Sequence, residues 1–145
     1  MNELPYQLHT NRELGLMLAG VKPLAMFVDA KDRFPDVVAR YLRLFDRHVA
    51  AGSLIRRDHL SGHTQSRAYA LHQILFALPS EAWRIDAMIE LKVFSTWTDE
   101  HERREGELLG YEGWMNDYWI DRLRSARKGS QAKPNLQPDR HHSPS

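Results

Sequence analysis

WTDEHERREGELLGYEGWMNDYWIDRL, residues 97–123, carries three of the chain's four tryptophans and eight of its nineteen acidic residues. It reads as two helices joined at a glycine-marked turn, and so makes the C-terminal half of the chain helical. Thr98 stands where an N-cap is needed, since its hydroxyl can accept from an unpaired amide of the first turn. Asp99, Glu100 and Glu102 follow, and negative charge suits the positive end of a helix dipole. Asp99 with Arg103, and Glu100 with Arg104, are spaced as acid-first i,i+4 pairs. Apolar residues come only at Leu108 and Leu109, so this helix is expected to be mostly solvated. Gly106 inside it costs about 1 kcal/mol relative to alanine, which points to close backbone packing there. Gly110 is placed to end the helix in the left-handed conformation.

The second helix, from about Gly113 to Arg127, has a different face. At about 100° per residue, Met115, Trp119, Ile120 and Leu123 form a broad apolar arc. Asn116 falls inside it, and a buried amide needs partners. Trp114 and Tyr118 extend the arc towards Asp117 and Asp121. That is wider than one packing face requires, so Trp114, Tyr118, Asp117 and Asp121 are the expected partner-binding edge.

Outward from this pair the pattern turns mixed. Pro35 to Ala51 is a helix, with Val37, Val38, Tyr41, Leu42, Phe45 and Val49 at three- and four-residue steps; Pro35 fits its first position and Gly52 its end. KPLAMFVD, residues 22–29, is a compact apolar run with the character of a central strand. SLIRRDH, 53–59, and RAYALHQILFAL, 67–78, are further strands, the second also central, with LSGHTQS as a loop between them. Leu4 to His9 suits a short edge strand, as Pro5 tolerates an edge. Thr10 with Glu13 matches a capping box for a short helix closed by Gly20. Ser80 caps a helix running from Glu81 to about Thr96. The expected fold is α+β, or a small α/β sandwich: three or four strands covered by about four or five helices.

At 145 residues the chain is one domain by size, residues 1–128. A polar tail, 129–145 (GSQAKPNLQPDRHHSPS), is expected to be disordered because it has almost nothing to bury. Net charge is +1, so no global field argues for nucleic acid or a membrane. The absence of cysteine excludes disulfides and thiolate chemistry and fits a cytoplasmic protein. The N-terminus MNELPYQLHTNRE is polar and acidic, unlike a signal peptide, and no apolar run approaches the roughly 18 residues of a membrane span.

Candidate sites compete with plainer readings. Asp58, His59 and His63, with His72 close in sequence, are possible metal ligands, yet a structural zinc site normally takes four protein ligands, and His72 alternates with Ala70, Ile74 and Phe76 as a core histidine would. His141 and His142 do not make a site. No metal and no cofactor is expected. HERRE, residues 101–105, puts His101 and Glu105 on one face, but the zinc-protease motif needs a histidine where Glu105 stands. A helix-turn-helix reader over Arg103 to Leu123 would offer Glu112, Asp117 and Asp121 to phosphate, which repels them. Arg40, Arg43 and Arg47 form a basic stripe suited to phosphate or an acidic partner, with Arg56 and Arg57 following; Asp36 shares the arc, and a solvated helix face explains it as well. Asp29 ends an apolar strand, where site carboxylates occur but where a turn-forming aspartate is ordinary. With no phosphate loop or nucleophile elbow, the expectation is a small protein-binding module: an adaptor, inhibitor or immunity-like protein, engaging a protein partner or itself. The alternatives are a small enzyme built from Asp29, His59, His63 or His101, and a nucleic-acid binder through the arginines.

Overall fold

The computed structural model describes residues 4–62, 70–94 and 96–129. His63, the residues 67–69 expected to open the third strand, and the tail beyond Gly129 lie outside the described residues. In chain order the elements are α1 (Glu13–Leu18), β1 (Leu24–Ala30), α2 (Asp36–Ala50), β2 (Ile55–Ser61), β3 (Leu71–Ala77), α3 (Trp83–Leu91), α4 (Asp99–Leu109) and α5 (Gly113–Gly129), with one 3-10 turn, Pro79–Glu81, before α3. The strands form one antiparallel sheet of order β1-β3-β2. The class is α+β, with a helical C-terminal half.

Only β3 is central. β1, expected there too, lies at an edge. Its apolar residues alternate on both faces because helices cover both sides, not because strands flank it. One face sets Leu24, Met26 and Val28 with Leu75 and Ala77 against Ile85, Met88, Leu108 and Leu109 of α3 and α4. The other sets Ala25, Ile74 and Phe76 against Leu42 and Phe45 of α2, with Met17 of α1. Phe45 stacks on Phe76 at 4.4 Å. β2 is the other edge, and its charged run Arg56, Arg57, Asp58 and His59 disfavours pairing with a further chain.

Four local expectations change. Residues 4–9 form no strand; Tyr6 is buried instead among aromatic rings, and Leu4 and Leu8 pack on the core. Thr10 does not cap α1, whose N-cap is Arg12 without a side-chain bond. Glu13 turns inward, where its Oε1 accepts from the Tyr41 hydroxyl at 3.1 Å. Pro35 is the N-cap of α2, one residue before its first turn. α3 stops at Leu91, short of Thr96, because the run Val93–Trp97 is rich in β-branched and aromatic residues that favour helix poorly. Val93 and Phe94 are left exposed.

Candidate functional site

The aromatic edge of α5 is positioned by α4, and α4 is held in a way its composition conceals. Thr98 caps it: Thr98 Oγ1 accepts from the His101 amide, and the Thr98 amide donates to His101 Nδ1 at 3.0 Å. His101 thus completes a capping box and stacks on Trp97. Glu102 and Glu105, expected on a solvated face, are buried with Gly106. Glu102 receives two indoles, Trp97 Nε1 at 2.8 Å on one oxygen and Trp119 Nε1 at 2.6 Å on the other. Buried Trp N–H groups require such an acceptor. One carboxylate therefore ties the approach to α4 to the middle of α5. Glu105 faces the Lys92 ammonium, which also lies 4.8 Å over the Trp97 ring. The expected pairs Asp99–Arg103 and Glu100–Arg104 are replaced. Arg103 bonds Glu100 and reaches across to Asp117, and Asp99 meets Arg124 and Arg127 of α5.

The far end of α4 is closed as firmly. Gly110 adopts φ 94°, and the Gly110 and Tyr111 amides bond back to Glu107 and Gly106, a Schellman ending. Arg84 donates to the carbonyls of Glu107 and Leu108, at 2.9 and 3.2 Å, and buried Lys22 to that of Leu109, at 2.7 Å. Cations at the negative end of a helix are favourable.

On this base α5 buries Asn116, Trp119, Ile120 and Leu123. Asn116 is a satisfied interior amide whose Nδ2 donates to the Tyr111 carbonyl at 3.3 Å. Trp114 and Tyr118 lie outside that face, 50% and 36% exposed. They do not stand free. Tyr6 packs edge-on against both, 5.5 Å from Trp114 and 6.3 Å from Tyr118, and against Tyr111 at 6.1 Å. His9 stacks on Tyr111 at 3.8 Å and anchors the same N-terminal segment. The result is an aromatic surface with its inner edges fixed and its outer faces open. Trp83 is exposed to a similar degree, but the guanidiniums of Arg84 and Arg104 lie over its ring. Asp117 and Asp121 are each partly offset by an arginine of their own chain: Arg103 at 3.2 Å and Arg124 at 3.9 Å.

The proposed Asp/His residues are scattered. Asp29 is in register with His72 across β1 and β3, and residues directly opposite share a sheet face. His59 is in register with Gln73, on the opposite face, and His101 belongs to the α4 cap. The structure instead joins Asp58 to His72, 2.7 Å apart. The alternation of His72 with Ile74 and Phe76 is real, but His72 sits at the rim of that face and is not core. Arg56 binds Asp58 through Nε and Nη2 and reaches Asp46 at 2.9 Å. Arg56 first, and then His72, hold the Asp58 carboxyl below its ordinary range. The arrangement can hold a histidine ring in one orientation. Its carboxylate is already committed to arginine, and among the described residues no three His, Asp or Glu side chains are grouped to hold a metal ion.

Arg40, Arg43 and Arg47 lie together on the outward face of α2, where with Val37, Tyr41 and Leu44 they wall an open groove of about 470 Å³. No helix among the described residues is long and apolar enough to cross a membrane. Comparison with protein-family models, with curated proteins and with solved structures finds no match to this chain.

Proposed function

We propose that this protein acts by binding another protein through the edge of α5, with Trp114 and Tyr118 as anchors and Asp117 and Asp121 at the rim. The observation that carries the reading is Trp114: half exposed, yet held by the perpendicular ring of Tyr6. A tryptophan fixed before binding loses little side-chain entropy on association, so its open face contributes more net affinity. Trp and Tyr are enriched at interface cores. The rim aspartates favour a partner with basic residues, and exchange of their internal arginines for the partner's would set orientation more than affinity. Self-association through the same edge is the homotypic form of this reading and would be two-fold symmetric. A cytoplasmic adaptor, inhibitor or immunity-like role belongs to the same proposal.

The experiment is affinity enrichment with the full chain, run beside a Trp114→Ala/Tyr118→Ala variant, with identification of what each retains. The expected result is a defined protein, or the chain itself, held by the wild type and lost from a folded variant. Equal retention by both would remove α5 as the binding edge.

A catalytic reading has one observation in its favour, the Asp58–His72 contact with Asp29 in register beside it. It predicts that His72→Ala abolishes an activity while leaving the α5 edge and its partner unaffected.

A further inference from the structure

The outward face of α2 lies across the sheet from α4 and α5, and its three clustered arginines contrast with the ion-paired arginines of β2, α3, α4 and α5. Arg56 and Arg57 meet Asp46, Asp58 and Asp86; Arg84 meets Glu81; Arg103 meets Glu100 and Asp117; Arg124 and Arg127 meet Asp99. Arg40, Arg43 and Arg47 have no ion pair among the described residues. Their spacing puts them on one ridge, spanning about 10 Å along the helix axis. Like charges three and four residues apart destabilise a helix by about 0.2–0.5 kcal/mol per pair. Asp36 in the first turn and the helix C-terminus beneath Arg47 offset part of this repulsion, but none of the three guanidiniums is paired with a carboxylate among the described residues. Beside them, Val37 is 64% exposed and Leu44 42%, making a ridge that is basic along one side and apolar along the other.

We propose that this face docks an acidic, amphipathic segment of a partner protein, whose carboxylates pair with Arg40, Arg43 and Arg47 and whose apolar side chains cover Val37 and Leu44. Charge complementarity selects the acid, since the planar guanidinium takes carboxylate oxygens in bidentate fashion. The exposed valine and leucine select protein over nucleic acid. Apolar side chains gain from burial against others of their kind, whereas a phosphate backbone leaves them uncovered. The surface is separate from the α5 edge, so the two proposals stand or fall independently.

The test titrates the full chain with a synthetic helical peptide bearing glutamates on one side and leucines on the other. Beside it run the same peptide with serines for leucines, a duplex DNA and a single-stranded RNA. The leucine peptide is expected to bind more tightly than the other three. Arg43→Glu/Arg47→Glu should weaken it by at least about tenfold, as loss of close charge pairs does at interfaces, and Val37→Ser/Leu44→Ser should weaken it also. Trp114→Ala/Tyr118→Ala should leave it unchanged. If the charge-reversed chain fails to melt cooperatively, Arg43→Gln/Arg47→Gln carries the same comparison. The proposal is overturned by failure of the leucine peptide to bind, or by equal binding to the wild type and to the arginine variant. Tighter arginine-dependent binding of DNA or RNA would overturn it in favour of a nucleic-acid face.

Discussion

Glu102 is the residue on which the C-terminal half turns. Both of its oxygens accept indole N–H groups inside the protein. Glu102→Gln turns one of those acceptors into a donor facing a donor. An unmet buried polar group costs about 1–3 kcal/mol, so urea unfolding of the variant should show a loss in that range; an unchanged midpoint would mean the carboxylate is dispensable. Tyr41 offers a second test. Burial first, and then the neighbouring Glu13 charge, push its hydroxyl up to about 12, against the bonding of the Leu14 amide. A raised value means that the folded state favours the neutral phenol. The stability it contributes is complete below the ordinary tyrosine value of about 10 and is lost as pH rises from there towards 12. Absorbance titration should find Tyr41 ionising late, and Tyr41→Phe should remove one late-titrating group. Glu102 itself was beyond the reach of sequence. A glutamate in the first turn of an acidic helix looks like a dipole partner, and its true partners are 5 residues before and 17 residues after it.

At the scale of elements, the caps of α4 were legible, those of α1 and α3 were not, and neither was the packing. Thr98 and Gly110 bound α4 where their chemistry puts them, because a cap depends on neighbours in the chain. Gly110 now carries a sharper expectation. A Cβ there would lie 2.6 Å from Pro23 Cδ, on a backbone at φ +94°. Left-handed backbone costs an L-residue about 1–2 kcal/mol, and the proline contact adds overpacking of about 1–3 kcal/mol. Gly110→Ala should therefore lose about 2 kcal/mol or more in chemical denaturation, and a neutral result would contradict the close approach of the Lys22–Pro23 turn to α4. The N-terminal segment shows the opposite case. Residues 4–9 alternate enough to suggest a strand, yet Tyr6 finds Tyr111, Trp114 and Tyr118, more than a hundred residues away. Apolar alternation states which side chains want burial and says nothing of which partner provides it. The second contact for Trp114 and Tyr118, expected from the width of the α5 arc, is thus partly within the chain.

At the scale of the whole molecule, a three-stranded sheet separates two helical layers, each with its own core. The class could be read because two strands with apolar residues on both faces must be covered on both sides. Strand order could not, since nothing in the pattern of β1 distinguishes an edge packed by helices from a central position. The candidate residues were legible as types but not as groups: Asp58 and His72 meet, while His59 faces away from them. The two outer surfaces now differ in chemistry, an aromatic edge on α5 and a basic-apolar ridge on α2. The central claim is that the α5 aromatics are an exposed interface and not core. Thermal and urea unfolding of Trp114→Ala/Tyr118→Ala, with sedimentation of the same protein, tests it directly. Two edge-to-face contacts with Tyr6 are worth about 0.5–1.5 kcal/mol each beyond the area they bury, and both side chains are only partly buried, so the variant should lose less than about 5 kcal/mol, keep a cooperative transition and lose its association. A loss above about 5 kcal/mol, the scale of truncating fully buried aromatics, with association unchanged, would show that these residues are core and would contradict the account.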